Sequence, residues 1–276
     1  MKSLDDPINI DTYRTVKIES VYEETSSVKT YTFKDNLSNR AKIGQYIMLW
    51  IQGIDEIPLS LSTINCEGLS SITVKNVGRA TRAILSKKVG DFFKIRGPYG
   101  NSFKLLEGNV LVVGGGVGLA PLLPLLESLV KIKSKVTLIV GAKTQKEILF
   151  LTKAKNTLQN NGILIVTTED GSYGIKGQAT EPIEDLLNEN EFKAVYMCGP
   201  EPMMRRIFEI ATMRGVEVQA CLERIIRCSV GLCGSCLIGR FRICKEGPIF
   251  SSQHLSELLQ EFGKFKRGFD GKRIVY

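Results

Sequence analysis

Residues 109–121 read NVLVVGGGVGLAP. Val110–Val113 is a continuous apolar run, the pattern of a strand buried on both faces. Gly114, Gly115, Gly116 and Gly118 then make a turn, and an apolar segment through about Lys131 predicts a helix. A strand, a glycine turn and a helix in that order aim free backbone N–H groups at one point. Such a point favours an anion such as a pyrophosphate. The usual dinucleotide fingerprint is G-x-G-x-x-G with an acid about 20 residues on. Here the next predicted strand ends in Gly141-Ala142-Lys143 without an acid. Taken alone, the turn is also open to a plain strand–helix connection.

Downstream the same alternation continues. Lys135–Val140, Gly162–Thr168 and Ala194–Cys198 read as strands, and Ile148–Asn160, Glu181–Glu189 and Glu201–Arg214 as helices. Strands alternating with helices predict a parallel α/β sheet, with Val216–Ala220 as its last strand. Cys198-Gly199-Pro200 stands at the C-terminal end of a strand and before a helix, where open α/β sheets take their ligands. The alternative is a buried cysteine followed by a helix-starting proline.

Upstream the period changes. Tyr13–Tyr22 and Val28–Lys34 alternate apolar and polar residues, and Gly44–Gln52, Ser71–Lys75 and Asp91–Arg96 are short runs bounded by turn residues. Short strands at this spacing predict a small antiparallel barrel, closed by the turn Gly97-Pro98-Tyr99-Gly100. The expected organisation is therefore a β-barrel over residues 1–107, a parallel-sheet α/β domain over 108–220 and a small C-terminal module over 221–276.

That module carries Cys228, Cys233, Cys236 and Cys244, spaced C-x4-C-x2-C-x7-C. The spacing is the plant-type ferredoxin pattern for a 2Fe–2S cluster, with three thiolates from a loop and the fourth expected on a nearby strand. Gly231, Gly234 and Gly239 lie among the cysteines and allow the backbone to approach cluster sulfurs. Structural zinc is the competing reading, but zinc sites usually come as two short C-x2–4-C knuckles, and only one pair here has that spacing. Disulfides are not expected: the cysteines number seven, cluster in one place and follow no signal-peptide pattern. Cys66 and Cys221 are expected to be buried small apolar residues. The single histidine, His254, is expected on the surface of the tail, and it excludes a His-rich metal site or a His-based triad.

The chain has 276 residues, 43% hydrophobic, enough for two domains and an appendage. The longest apolar candidate, near Val110–Leu126, is broken by glycine and proline, so no membrane span is expected and a cytoplasmic location is. The net charge of +8 is spread along the chain, with a modest cluster at Lys264–Arg267. It suits anionic cofactors or an acidic partner; no nucleic-acid motif accompanies it.

The order of barrel, GGGVGLAP and CGP resembles the ferredoxin–NADP reductase-like flavoproteins. With the four cysteines, the chain is similar over nearly its whole length to electron-transfer subunits of dihydroorotate dehydrogenase type B. The segments that carry this are GQYIMLWIQGIDEIPLSLS (44–62), ITVKNVGRAT (72–81), IRGPYGNSF (95–103), CGPEPMM (198–204) and CGSC with CKEGPIF (233–250). The resemblance implies FAD on the barrel, NAD(H) on the α/β domain and a 2Fe–2S cluster at the four cysteines. It implies that Ser60 hydrogen-bonds flavin N5 and Leu59, after Pro58, packs on the ring. It assigns the ribityl chain and pyrophosphate to Thr73, Val74, Lys75, Gly78, Ala80 and Thr81. It assigns the dinucleotide to Gly115, Gly116 and Gly118, and the nicotinamide end to Cys198, Gly199 and Pro200. Ile57 stands where that family's R-P-x-S segment has arginine, so Lys75, Arg79, Arg82 or backbone amides would have to meet the pyrophosphate. The implied partner is an FMN-containing catalytic subunit, in a heterotetramer of two of each. The short gap between Cys236 and Cys244 also resembles gamma-type subunits of hydrogenases and sulfite reductases. A zinc-stabilised, nucleotide-binding regulatory module is the alternative of another class.

Overall fold

The computed structural model describes residues 10–159 and 162–276. Residues 1–9 of the expected barrel segment and Asn160 of an expected helix lie outside the described residues.

Six strands close into an antiparallel barrel in the order β1-β2-β5-β4-β3-β6. They are β1 (Arg14–Thr25), β2 (Val28–Phe33), β3 (Tyr46–Ile51), β4 (Asp55–Cys66), β5 (Leu69–Lys75) and β6 (Phe92–Tyr99), with helix α1 (Arg79–Leu85) between β5 and β6. Alternating residues point inward. Ile18, Tyr31, Phe33, Ile47, Leu61, Ile72 and Ile95 fill the interior. β4 is absent from the expected strands. Its Pro58 has no N–H to donate, and proline within a run argues against a strand. The β4–β5 register begins only at Leu61↔Ile72, so Pro58 lies where that pairing has not started.

The second body is a seven-stranded sheet, ordered β10-β9-β8-β7-β11-β12-β15. β7 (Asn109–Gly115), β8 (Lys135–Ala142), β9 (Gly162–Thr168), β10 (Ile175–Lys176), β11 (Ala194–Cys198) and β12 (Glu217–Cys221) are parallel. Alternate residues of β7 enter separate cores: Val110 and Val112 pack with α2 (Leu123–Lys131) and α3 (Leu151–Leu158). Leu111 and Val113 pack with α4 (Ile183–Glu189) and α5 (Glu201–Met213). This two-sided burial is why the run carries no polar alternation.

β12 is not the last strand. The C-terminal segment returns and adds β15 (Ile249–Ser251) antiparallel to it, with Ala220 opposite Phe250. Before β15 come the two-residue strands β13 (Leu237–Ile238) and β14 (Phe241–Arg242) and the single turn α6 (Ile243–Glu246). After it come α7 (Ser252–Glu257) and a hairpin of β16 (Phe265–Arg267) and β17 (Arg273–Val275). Among the described residues no helix is long and apolar enough to cross a membrane.

Two expectations about isolated residues fail. Cys66, at the end of β4, is exposed; only Cys221 of that pair is buried. His254 is half-buried, edge-on to Phe241 and Phe250 with centroids 5.2 and 5.8 Å away.

Candidate electron-transfer site

The glycine turn and the Cys-Gly-Pro turn meet. β7 and β11 are neighbours, with Gly114 opposite Cys198. A Cβ on Gly118 would lie 2.6 Å from the Cys198 carbonyl carbon and oxygen, so only glycine allows this approach. Gly116 has φ +53° and nothing within 4 Å of where its Cβ would stand, which leaves its backbone facing open space. The helix expected after the turn opens as 3₁₀ over Gly116–Leu122 and becomes α-helical only at Leu123. Gly115, Gly116, Gly118, Cys198, Gly199 and Pro200 thus form one rim at the C-terminal ends of the parallel strands. The neighbouring Cys221 thiol, then burial, push the Cys198 thiol well above its ordinary pKa, so Cys198 stays neutral.

On the barrel, Ser60 is half-buried on β4, paired with Tyr46 on β3. Leu59 and Ile57 both pack against the barrel core. Val74 is buried in that core, which leaves its backbone as the part available to a ligand outside. Thr73 is buried, and Lys75 is half-exposed. The Thr81 hydroxyl accepts from the N–H groups of Val77 (2.9 Å) and Gly78 (3.0 Å), so it fixes the start of α1. Arg79 and Arg82 are exposed on that helix and Ala80 is half-buried between them.

The four cysteines come as two pairs. The Cys228 sulfur accepts from the N–H of Leu232 (3.4 Å) and of Cys233 (3.5 Å). The Cys236 sulfur accepts from the N–H of Cys244 at 3.5 Å. Cys244 sits on α6, not on a strand as expected. Burial pushes the Cys228 thiol up, but N–H groups of Cys233, Val230 and Leu232 outweigh it and draw its pKa down to about 6. Burial and the Cys236 thiol push Cys244 up to about 12. Among the described residues no three cysteine, histidine or carboxylate side chains gather round a point as for a single metal ion. Two thiol pairs fit a two-iron cluster, in which each iron takes two protein sulfurs, better than one tetrahedral zinc.

The cysteine loop is bolted to the barrel by residues the sequence did not single out. Arg96, on β6, donates to the carbonyls of Cys228 (3.0 Å) and Arg227 (3.1 Å), and both ends of its fork meet Glu56 at 2.6 and 2.8 Å. The Tyr46 hydroxyl donates to Ser229 Oγ at 3.3 Å. Asn101 donates to the carbonyls of Glu246 and Ile249 and accepts from the Ile249 N–H. Glu223 was also missed, although it follows the β12 strand end, the position that singled out Cys198 on β11. It keeps solvent-exposed surface while crowded by protein on its other sides. That crowding holds its carboxyl above the usual range, more than Lys266 offsets. Behind it the buried Glu201 pairs with the Arg224 guanidinium.

Comparison with solved structures defines the class. The NADH-dependent reduced ferredoxin–NADP oxidoreductase superposes with TM-score 0.79 at 30% identity, covering 89% of this chain and 91% of that one. A ferredoxin–NADP⁺ reductase from Neisseria gonorrhoeae matches in fold, at TM-score 0.62 and 18% identity, over 74% of this chain and 92% of that one. The fold is that of the ferredoxin–NADP reductase-like oxidoreductases. Residues 112–208 match the oxidoreductase NAD-binding domain, and residues 223–256 match the iron–sulfur cluster binding domain of dihydroorotate dehydrogenase B. Proteins named probable dihydroorotate dehydrogenase B (NAD(+)) electron transfer subunit are 37% identical in Methanocaldococcus jannaschii, over 94% of this chain and 97% of the relative. The one in Methanothermobacter thermautotrophicus is 39% identical over 95% and 97%, and the one in Pyrococcus furiosus 39% over 94% and 98%. The chain belongs to the family of dihydroorotate dehydrogenase B electron transfer subunits.

Proposed function

We propose that this chain carries electrons from an FMN-containing subunit that oxidises dihydroorotate to NAD⁺, as a step of pyrimidine biosynthesis. Cys228, Cys233, Cys236 and Cys244 hold a 2Fe–2S cluster. Pro58, Leu59 and Ser60 with Thr73–Lys75 and Gly78–Thr81 hold FAD, and the rim of Gly115, Gly116, Gly118, Cys198, Gly199 and Pro200 receives NAD(H). When bound, the cluster supplies single-electron steps, the flavin joins single electrons into a pair, and NAD takes the pair as hydride.

The protein's residues do the positioning. Ser60 presents a hydroxyl on the barrel side and Gly118 lets the turn close against Cys198 on the other, so reactants meet between the two bodies. Lys75, Arg79 and Arg82 take over the anion-binding work of the missing arginine at Ile57. The N–H groups around Cys228 stabilise thiolate charge before any metal arrives. The parts divide as 1–107, 108–220 and 221–276, with β15 tying the third into the second.

The observation that carries the reading is the tie of the first cysteine, Cys228, and its neighbour Ser229 to the barrel, through Arg96 on β6 and through Tyr46 on β3, the strand that pairs with Ser60. The exposed Val230 and Leu232 beside the cysteines would meet the catalytic subunit, in an assembly of two of each. With seven free cysteines the complex suits the reducing cytoplasm. Anaerobic purification tests this. The chain should carry about two irons and one flavin. Cys233→Ser should lose the iron and keep the flavin. A colourless protein with stoichiometric zinc, or flavin reduction by the catalytic subunit that survives Cys233→Ser, refutes it.

A further inference from the structure

A cleft of about 640 Å³ opens between the outer barrel wall and α3. Glu24, Thr30 and Ser62 line it from the barrel, and Phe150 and Lys153 from the α/β body. From the cleft a row of side-chain oxygens, each within hydrogen-bond distance of the next, runs into the barrel wall. Thr30 Oγ1 donates to Glu24 Oε1 at 2.7 Å. Thr30 Oγ1 and Thr73 Oγ1 lie 3.0 Å apart, and either can donate. Thr73 Oγ1 donates to Ser62 Oγ at 3.1 Å. Continuing the Leu61↔Ile72 register by one residue sets Thr73 beside Ser60.

We infer that Glu24, Thr30 and Thr73 form a proton relay between water in this cleft and the flavin face at Ser60. The inference rests on the FAD reading above. Electrons that arrive singly and leave as hydride must be joined by one proton: two electrons and H⁺ make H⁻. The activity supplies the electrons, and water supplies the proton. The two threonine hydroxyls carry one hydrogen each, so with Thr30 donating to Glu24 and Thr73 to Ser62 the gap between the threonines fills when the Thr73 hydroxyl turns. With Glu24 the acid, Glu24 donates to Thr30, Thr30 to Thr73 and Thr73 onward; once a proton has left from Thr73, Thr30 donates to the Glu24 carboxylate and Thr73 to Thr30. Passing one proton switches the chain from the first arrangement to the second. Burial raises the Glu24 carboxyl above its ordinary pKa, against the pull of Thr30 and of Lys153 across the cleft. Lys153 is itself held by Glu127 at 3.4 Å and Thr63 at 3.2 Å.

The test compares wild type with Glu24→Gln, Thr30→Val and Thr30→Ser. Thr32→Val serves as control, because it removes the neighbouring hydroxyl pair with Ser71, off the relay. Flavin reduction is followed in H₂O and D₂O, once by a one-electron donor and once by NADH, whose hydride needs no proton from water. In Glu24→Gln and Thr30→Val the ratio of one-electron to hydride rates should fall by about a hundredfold, the low end of a proton-transfer contribution. The solvent isotope effect on the one-electron rate should change with it. Thr30→Ser restores the ratio and Thr32→Val leaves it alone. Infrared titration, which needs no turnover, should show a carboxyl band that Glu24→Gln removes and Thr30→Val shifts. Flavin-loaded variants with the wild-type ratio and isotope effect overturn the relay alone. A wild-type chain that holds no flavin overturns the functional reading and the relay with it.

Discussion

Tyr46 spans two parts of the chain: its backbone pairs with Ser60 on β4, and its hydroxyl donates to Ser229 Oγ at 3.3 Å, one residue past Cys228. Burial holds that hydroxyl far above the ordinary tyrosine pKa, so it remains a neutral donor. Its ring lies 5.9 Å from Tyr99, whose hydroxyl accepts from Arg96 at 3.0 Å. The strand that carries Ser60 and the first cysteine of the loop therefore share one buried support. A change in the barrel wall reaches the cysteine loop through two residues.

Arg96→Met tests that support. The substitution leaves Glu56 without its fork and the carbonyls of Arg227 and Cys228 without a donor. Removing one member of a buried pair costs about 3–5 kcal/mol, and this pair, in which Glu56 keeps some exposure, should lie at or below the lower figure. Denaturant unfolding should show a loss of that order, and bound iron per chain should fall while flavin is retained. Arg96→Lys keeps the charge but not the fork, and should fall between.

Gly118→Ala and Gly116→Ala separate contact from conformation. The first puts a methyl 2.6 Å from the Cys198 carbonyl; the second meets nothing within 4 Å but keeps φ at +53°. Gly118→Ala should cost about 1–3 kcal/mol of stability through displaced backbone. NADH binding should weaken at least about tenfold, or roughly 1.4 kcal/mol. Gly116→Ala should cost about 1–2 kcal/mol from the left-handed conformation alone. Unfolding curves and NADH titrations read both, and the iron content of each should match wild type.

The parts that the sequence made legible are those fixed by local pattern. Val110–Val113 is apolar because both of its faces are covered, and the strand sits where that run placed it. GGGVG and CGP were legible because backbone approach demands glycine. β4 was hidden by Pro58, and β15 by its length of three residues and a partner strand about 30 positions earlier. The side-chain directions of Leu59 and Val74 depend on barrel register. Arg96 pairs with Glu56 across 40 residues and with Cys228 across 132, distances at which no local pattern survives. Cys244 on a helical turn followed the same rule: the spacing named the residue but not the element beneath it.

Acid stability should depend on Asp35. Burial pushes its carboxyl up, but the Arg14 fork and the Ser38 hydroxyl and N–H outweigh burial and leave the pKa lowered. Arg14 meets it at 2.8 and 2.9 Å, and Ser38 donates from backbone N and Oγ at 2.8 and 2.7 Å. A carboxyl with a folded pKa below its unfolded one stabilises above the unfolded value. That contribution is lost as pH falls through the folded value. Stability should therefore decline below about pH 4, near the ordinary aspartate pKa. Asp35→Asn should cost about 2 kcal/mol at neutral pH and flatten that acid limb. Chemical denaturation from pH 7 to pH 3 measures both.

Leu232 sits one position before Cys233 and is 85% exposed. Val230 beside it is 39% exposed, and Phe269, its ring under the Arg227 guanidinium at 5.8 Å, is 73% exposed. Large apolar side chains gathered round a loop of thiols on an otherwise charged surface mark a surface that another protein covers. A central apolar anchor in such a contact commonly contributes 2 kcal/mol or more. Leu232→Glu should weaken association with the catalytic subunit by about thirtyfold, the equivalent of that energy. Because Leu232 touches the cysteine site only through its backbone N–H, the variant should keep wild-type iron, flavin and NADH-dependent reduction. Co-purification and analytical ultracentrifugation of the pair read the loss. Undiminished association would place the docking face elsewhere on the chain.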